Sequence, residues 1–221
     1  VTPDDFWAEY ARSYDLIWDS PVTAQTRDAL HAQLPSDAVR VIDLGCGTGL
    51  MSQGLVARGL RVVGVDSSGA MLQRARNMER ITEAVEAPAQ AVPLDADTAD
   101  AVIIGNLLHL HPAPAAVLDE ARRLARPGAP IIATWPVPGL DLAAMWRVER
   151  RTGRSAASTL RAQAHRVRIG LLAASTKGVI AARAAGQHDT AGLLDELGLG
   201  SGYPIETVAG CQQLVVMAAL E

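Results

Sequence analysis

Residues 39–49, VRVIDLGCGTG, run a short β-branched stretch straight into three glycines at alternate positions. A stretch this short and this apolar, stopped at glycine, suits a strand buried on both faces of a parallel sheet. The glycines let the chain turn sharply and let its backbone come close to a ligand. Further strands are expected at RVVGVD (61–66), within AVEAPAQ (84–90), at ADAVIIG (99–105) and at PIIATW (130–135). Between them, GLMSQGLVARG (49–59, ending at Gly59), SGAMLQRARNM (68–78) and PAPAAVLDEARRLARPG (112–128, closed by Pro127-Gly128) read as helices. Strand–helix alternation at this spacing implies an α/β fold, an open parallel sheet with helices on both faces. Ligands of such sheets bind beyond the carboxyl ends of the strands, near the point where the strand order reverses. Residues 43–49, 66–71, 87–90 and 105–111 should therefore surround one cleft.

The flanks read differently. Residues 5–18 and 21–34 form two helices before the first strand, the second with Pro21 in its first turn. Residues 141–187 are mostly helical and carry nine basic side chains against Asp141 and Glu149. A helix ending in LLDELGLG (193–200) leads to PIETVAG and QQLVVMAAL, two strands with no helix between them and hence an antiparallel edge pair. No Gly-, Ser- or Pro-rich linker interrupts the 221 residues. The expected organisation is one domain: N-terminal helices (1–34), a core (36–138), a helical cap insertion (139–188), then the last helix and strand pair (189–221).

Composition excludes several classes. No apolar run approaches the roughly 18–20 residues that span a bilayer, and the opening VTPDDFWAEY has neither the basic nor the apolar region of a signal peptide. Cys46 and Cys211 are far apart, without a metal-binding spacing. These features lead to the expectation of a soluble cytoplasmic protein without membrane partner or structural metal. The formal net charge of −4 argues against a general nucleic-acid binder. That average conceals a strongly basic cap on a more acidic remainder.

The glycine turn discriminates between nucleotides. A dinucleotide fingerprint needs G-x-G-x-x-G/A, whereas here the third glycine is Gly49 and Leu50 stands where a small residue would be required. Asp43 sits just before the turn, where a carboxylate would repel a pyrophosphate and suit an ammonium or sulfonium group. Asp66 ends the second strand, placed to accept hydrogen bonds from a ribose diol. Ser67 and Ser68 can cap the following helix, and Met71, one turn in, can lie against a flat base.

DLGCGTG, GVDSSGAML and VPLDADTADAVIIGNLLHLHPAPAAVLDEARRLARPGAPIIAT together resemble class I S-adenosylmethionine-dependent methyltransferases of the small UbiE-like kind, over about residues 5–138. The resemblance implies a Rossmann-like, seven-stranded, mostly parallel sheet with an antiparallel last strand, and S-adenosyl-L-methionine as cofactor. It implies that Asp43, Gly45, Gly47 and Gly49 cradle the methionine moiety, with Asp66 on the ribose, Ser67 beside it and Met71 over the adenine. Tyr14, of the Tyr14-Asp15 pair, would reach the cofactor carboxylate, and Asn106 would contribute its backbone. The chain departs from the family at Pro88, where an Asp commonly contacts the adenine amino group. The backbone of Ala89 and the side chain of Gln90 are the candidate replacements.

Methyl transfer from a sulfonium asks the protein for alignment, exclusion of water and, for weakly acidic nucleophiles, a base. His109, just after the fourth strand, is one candidate base, weighed against a structural hydrogen-bonding role; His165 in the cap is the other, weighed against a surface position. His111 reads as a turn residue, Trp135 as core, and Cys46 as a small side chain fitting between glycines. The expected activity is methylation of an O, N or C nucleophile on a small molecule, a secondary metabolite or quinone-type precursor, with an acidic acceptor compatible with the basic cap. A non-methylating cofactor binder of the same fold and an RNA methyltransferase are the alternatives, and self-association is left open.

Overall fold

In a computed structural model of the chain, the described residues are 3–137, 147, 151, 155, 157, 158, 160–164, 167, 190–197 and 203–219. Two helices, α1 (Pro3–Trp18) and α2 (Pro21–His31), precede the sheet. Ser20 caps α2, accepting from the Thr23 amide, with Pro21 in the first turn as the sequence requires. The strands are β1 (Arg40–Leu44), β2 (Arg61–Asp66), β3 (Glu83–Glu86), β4 (Ala101–Gly105), β5 (Pro130–Pro136), β6 (Ile205–Val208) and β7 (Gln212–Ala218). Helices α3 (Gly69–Asn77), α4 (Pro114–Leu124) and α5 (Thr190–Glu196) accompany them.

The sheet order is β3-β2-β1-β4-β5-β7-β6. All pairings from β3 across to β5 are parallel, while β7 runs antiparallel to both β5 and β6. The expected mostly parallel sheet of seven strands, closed by an antiparallel pair, is therefore present. Strand order reverses on either side of β1, so the carboxyl ends of β1 and β4 open the crevice that such sheets use for ligands.

Alternation along the strands sorts the core into two layers. Ile42, Leu44, Val63, Val65, Val102 and Ile104 face α4 and α5, through Val117, Leu118, Leu124 and Leu193. Val41, Val62, Ala101, Ile103 and Ile132 face the other way, onto Leu30 of α2, Leu55 and Leu72 of α3. Most of these side chains are fully buried, each stabilising by about 1.5–3 kcal/mol relative to exposure. Being covered on both faces is why the strands read as short apolar runs rather than as alternating ones.

Two expectations need correction. Residues 49–59 do not form an α-helix; they make successive turns that end in a 3₁₀ turn at Val56–Arg58. Gly49 and Gly54 both adopt positive φ, +73° and +94°, which an α-helix cannot contain, and Gly59 closes the segment in the left-handed region as expected. The helix expected over 112–128 spans only Pro114–Leu124, because Ala125 turns extended (ψ 139°) and bridges to Ala99 before Pro127 is reached. His165 and nearly all of the basic segment 141–187 lie outside the described residues.

Candidate active site at the carboxyl ends of the central strands

The three glycines after β1 all take left-handed φ, +67° at Gly45, +53° at Gly47 and +73° at Gly49, for different local reasons. A Cβ on Gly45 would lie 2.7 Å from a methyl of Leu107, and one on Gly49 would lie 2.9 Å from the Cβ of Arg80. At Gly47 nothing stands within 4 Å of that position, so this glycine faces open space. The turn is tied to β2 by the Cys46 amide, which donates to the Val65 carbonyl at 2.9 Å. Gly45→Ala combines overlap with Leu107 and a strained φ, and is expected to destabilise by about 2–4 kcal/mol in denaturant unfolding. Adding Leu107→Ala should restore the steric part and leave the backbone strain of about 1–2 kcal/mol; full restoration would show that Gly45 is required for space alone.

Asp66 closes the cleft from the β2 side. Its Oδ2 accepts from the Gly47 amide and its Oδ1 from the Ser68 amide, both at 2.9 Å. Each carboxylate oxygen retains a second lone pair, so a vicinal diol can still be accepted. Ser68 then caps α3 by accepting from the Met71 amide at 3.4 Å. Asp43, 1% exposed, accepts from the Ser52 hydroxyl at 2.6 Å.

Burial dominates the electrostatics. It pushes the Asp43 carboxyl up to about 7, against the Ser52 hydrogen bond and with help from the Asp66 charge. It raises Asp66 as well, opposed by the Ser68 and Gly47 amides. The Tyr14 hydroxyl is driven far above the usual phenol range by burial first, then by Tyr10, Asp66, Asp15 and Asp43. Tyr14 thus lies within electrostatic reach of both Asp43 and Asp66 as a protonated donor. The Cys46 thiol is likewise pushed up by burial, Asp43 and Asp66, which keeps it protonated and a poor nucleophile.

These donors fit the implied cofactor and not a dinucleotide. A buried carboxylate, Asp43, and a half-buried one, Asp66, are met by neutral groups, one hydroxyl and two amides. Such a site favours a ligand that brings positive charge and disfavours a pyrophosphate.

The other expected residues are distributed around this centre. Ser67 is exposed. Met71 is 2% exposed and packs with Tyr10, Ala11 and Ile17 under α1. Ala89 is buried and Gln90 exposed. The Gln90 Oε1 lies 3.1 Å from His111 Nε2, while His111 Nδ1 accepts from the Ala113 amide at 3.1 Å. That pattern assigns the proton to Nε2, and burial lowers the His111 pKa, keeping the ring neutral in its turn. Asn106 adopts φ +55°, a region asparagine tolerates, and its amide donates to the Thr134 carbonyl at 2.9 Å. Its buried Oδ1 has no hydrogen-bond partner among the described residues. His109 is half-buried in the 3₁₀ turn Leu108–Leu110 that follows β4. Trp135 is buried and donates to Gln213 Oε1 at 2.7 Å, a core position.

Two polar clusters were not anticipated. Glu120 accepts from the Val92 amide at 2.6 Å, and Arg123, bonded to Glu120, donates to the Leu94 and Val92 carbonyls at 2.8 and 3.0 Å. Together they pin the loop that carries Ala89 and Gln90 against α4. An open groove of about 540 Å³ outside that loop is lined by residues 90–95, Glu120 and Arg123. The second cluster gathers Thr48, Arg74 and Arg80 around Asp15. The i, i+3 spacing of Glu120 and Arg123 was visible in the sequence, but their backbone partners about 30 residues away were not.

Among the described residues, no group of three or more His, Cys, Asp or Glu could hold a metal ion, and no helix is long and apolar enough to cross a membrane. A methyltransferase domain family matches residues 42–133. An uncharacterized methyltransferase of Mycobacterium tuberculosis is 39% identical over 131 residues, covering 56% of this chain and 54% of that protein. The demethylmenaquinone methyltransferase of Clavibacter sepedonicus is 38% identical over 123 residues, half of each chain (50% and 50%). The chain thus spans about half the length of the curated relatives it matches. Human N-acetylserotonin methyltransferase, solved in complex with S-adenosylmethionine, has the same fold at a TM-score of 0.59 and 15% identity, over 98% of this chain and 56% of that one. In its sheet order, its glycine turn and its sequence over residues 42–133, this chain is similar to methyltransferase domains.

Proposed function

We propose that the protein transfers a methyl group from S-adenosylmethionine to an O, N or C nucleophile of a small molecule in the cytoplasm, the acceptor being a secondary metabolite or quinone-type precursor. The observation that carries this reading is the Asp66 carboxylate bonded to the Gly47 amide, which brings a diol acceptor against an open glycine turn. The likeness to a demethylmenaquinone methyltransferase supports the quinone-type class.

When bound, the cofactor supplies an electrophilic methyl on a sulfonium leaving group. On this reading Asp66 accepts from the ribose hydroxyls, with Ser67 at the same edge. Asp43 and the backbone from Gly45 to Gly49 would hold the methionine end. The Tyr14 hydroxyl donates to the cofactor carboxylate, Asn106 offers its backbone, and Met71, Ala89 and Gln90 bound the adenine. His109 takes the acceptor proton, at whichever ring nitrogen faces the cleft. Residues 139–188, which carry His165, form the cap of the same single domain and select the acceptor, their positive charge favouring acidic molecules.

The test is release of S-adenosylhomocysteine across a panel of phenols, hydroquinones, amines and carboxylates, with wild type and His109→Asn. Turnover on at least one acceptor is expected, with kcat reduced by about 10²–10⁴ in the variant and the cofactor KM unchanged. Tight cofactor binding without turnover on any acceptor would favour a non-methylating protein of this fold, and an unchanged kcat would remove His109 as base.

A further inference from the structure

Asp15 is the most heavily used carboxylate near the cleft, yet it lies on α1, outside the sheet. Its Oδ1 accepts from the Thr48 hydroxyl at 2.7 Å and from Arg80 Nη1 at 3.0 Å. Its Oδ2 accepts from Arg74 Nε at 2.9 Å and Nη2 at 2.8 Å. Arg80, 3% exposed, also donates to the Thr48 carbonyl at 2.9 Å. Thr48 is fully buried between Gly47 and Gly49. One side chain on α1 therefore fastens to the glycine turn, to α3 and to the segment after α3.

The apolar contacts of α1 with this region include Tyr10, Ala11 and Ile17 against Met71. Apolar burial is non-directional and by itself specifies the position of a helix less sharply than aimed hydrogen bonds do. The Asp15 bonds are charge-assisted and directional, and they fill all four acceptor positions of the carboxylate. The adjacent residue, Tyr14, packs against the buried cluster that holds Cys46, Leu50 and Met51 of the turn and the segment after it, and its hydroxyl lies within electrostatic reach of Asp66 and Asp43.

We propose that Asp15 is a positioning residue, a latch that fixes α1 over the glycine turn so that Tyr14 holds its hydroxyl at the cofactor site. The latch does not touch the cofactor; it acts through Tyr14 and the backbone of Thr48. The Tyr14 part rests on the cofactor reading above, whereas the fastening of α1 does not.

Asparagine keeps the size of Asp15 but removes its charge and turns an amide toward one of the guanidinium groups. In Asp15→Asn, amide hydrogen exchange in α1 should speed by at least about tenfold, with β1 and β4 unchanged. Calorimetric affinity for S-adenosylhomocysteine should fall by roughly tenfold. Tyr14→Phe should weaken affinity in the wild-type background and add nothing in Asp15→Asn, because the hydroxyl is no longer placed. Unchanged α1 protection in Asp15→Asn, or losses from the two substitutions that simply add, would overturn the latch. If Asp15→Asn also loses protection in β1 and β4, Thr48→Val, which removes a single donor, should give the same α1-confined pattern at smaller amplitude; core-wide loss there too would overturn it. Wild-type protein that fails to bind S-adenosylhomocysteine would overturn the cofactor reading and the Tyr14 part, and the exchange measurement would still decide whether Asp15 holds α1.

Discussion

Asp66→Ala is expected to lower affinity for S-adenosylmethionine and S-adenosylhomocysteine by at least about 100-fold, while the fold survives. Hydrogen bonds to a charged group contribute about 1.5–3 kcal/mol each, and a ribose diol makes two of them to one carboxylate. The substitution also frees the Gly47 and Ser68 amides, which now donate to Asp66, and so loosens the turn that receives the ligand. Stability should move much less, because deleting Asp66 removes a carboxylate that burial already disfavours in its charged form. Asp66→Asn, which keeps one acceptor oxygen, should fall between the two. Calorimetry and thermal unfolding on the same samples check both halves; undiminished affinity would remove Asp66 from the ribose.

Asp43 should make both stability and affinity depend on pH, in opposite senses. Its carboxyl titrates near 7 in the fold, chiefly through burial, against 3.8 in the unfolded chain. Between about pH 4 and 7 the unfolded chain gives up a proton that the folded chain keeps, so stability declines as pH rises, by up to about 4 kcal/mol, and then levels off. Asp66, raised in the same direction, adds to that decline. His31 and His111, both lowered by burial, work the other way as pH rises through the ordinary histidine range. The contribution of Asp43 is isolated by subtracting the profile of Asp43→Asn, which should be flatter and more stable at pH 8. A ligand whose ammonium needs the ionised carboxylate should instead bind more tightly with rising pH, roughly tenfold per unit below 7, and then plateau. Asp43→Asn should bind weakly and without that slope. A wild-type affinity that is flat between pH 5.5 and 8 would show that Asp43 does not meet the ammonium.

The parts of this site that could be read from the sequence are those set by local backbone demands. Three positive-φ glycines in five residues, an acid at or one residue before the end of two adjacent strands and short apolar runs of five or six residues rich in β-branched side chains are each enforced at their own positions, so VIDLGCGTG and RVVGVD announced β1, its turn and β2. The strand pair at the end was legible for the same reason, with Ala209-Gly210 making the hairpin turn at φ +53° and +67°. What stayed hidden depends on partners distant in the chain. Residues 49–59 have apolar spacing compatible with a helix, and only the positive φ of Gly49 and Gly54 breaks it. Arg80 follows a helix like any solvated arginine, yet it is buried because Asp15, 65 positions earlier, and the Thr48 carbonyl receive it. Gln90, two residues after the departure at Pro88, has its Oε1 engaged by His111, a neighbour that no spacing rule would pair with it.

Equilibrium titration of the wild-type 221-residue chain with S-adenosylmethionine, S-adenosylhomocysteine and NAD, side by side, is the most direct measurement of what the turn after β1 receives. Saturable one-site binding of both sulfur compounds, with no binding of NAD at the same concentrations, is the predicted result. Binding of NAD in their place, or no binding of either sulfur compound, would contradict the assignment of this cleft to S-adenosylmethionine.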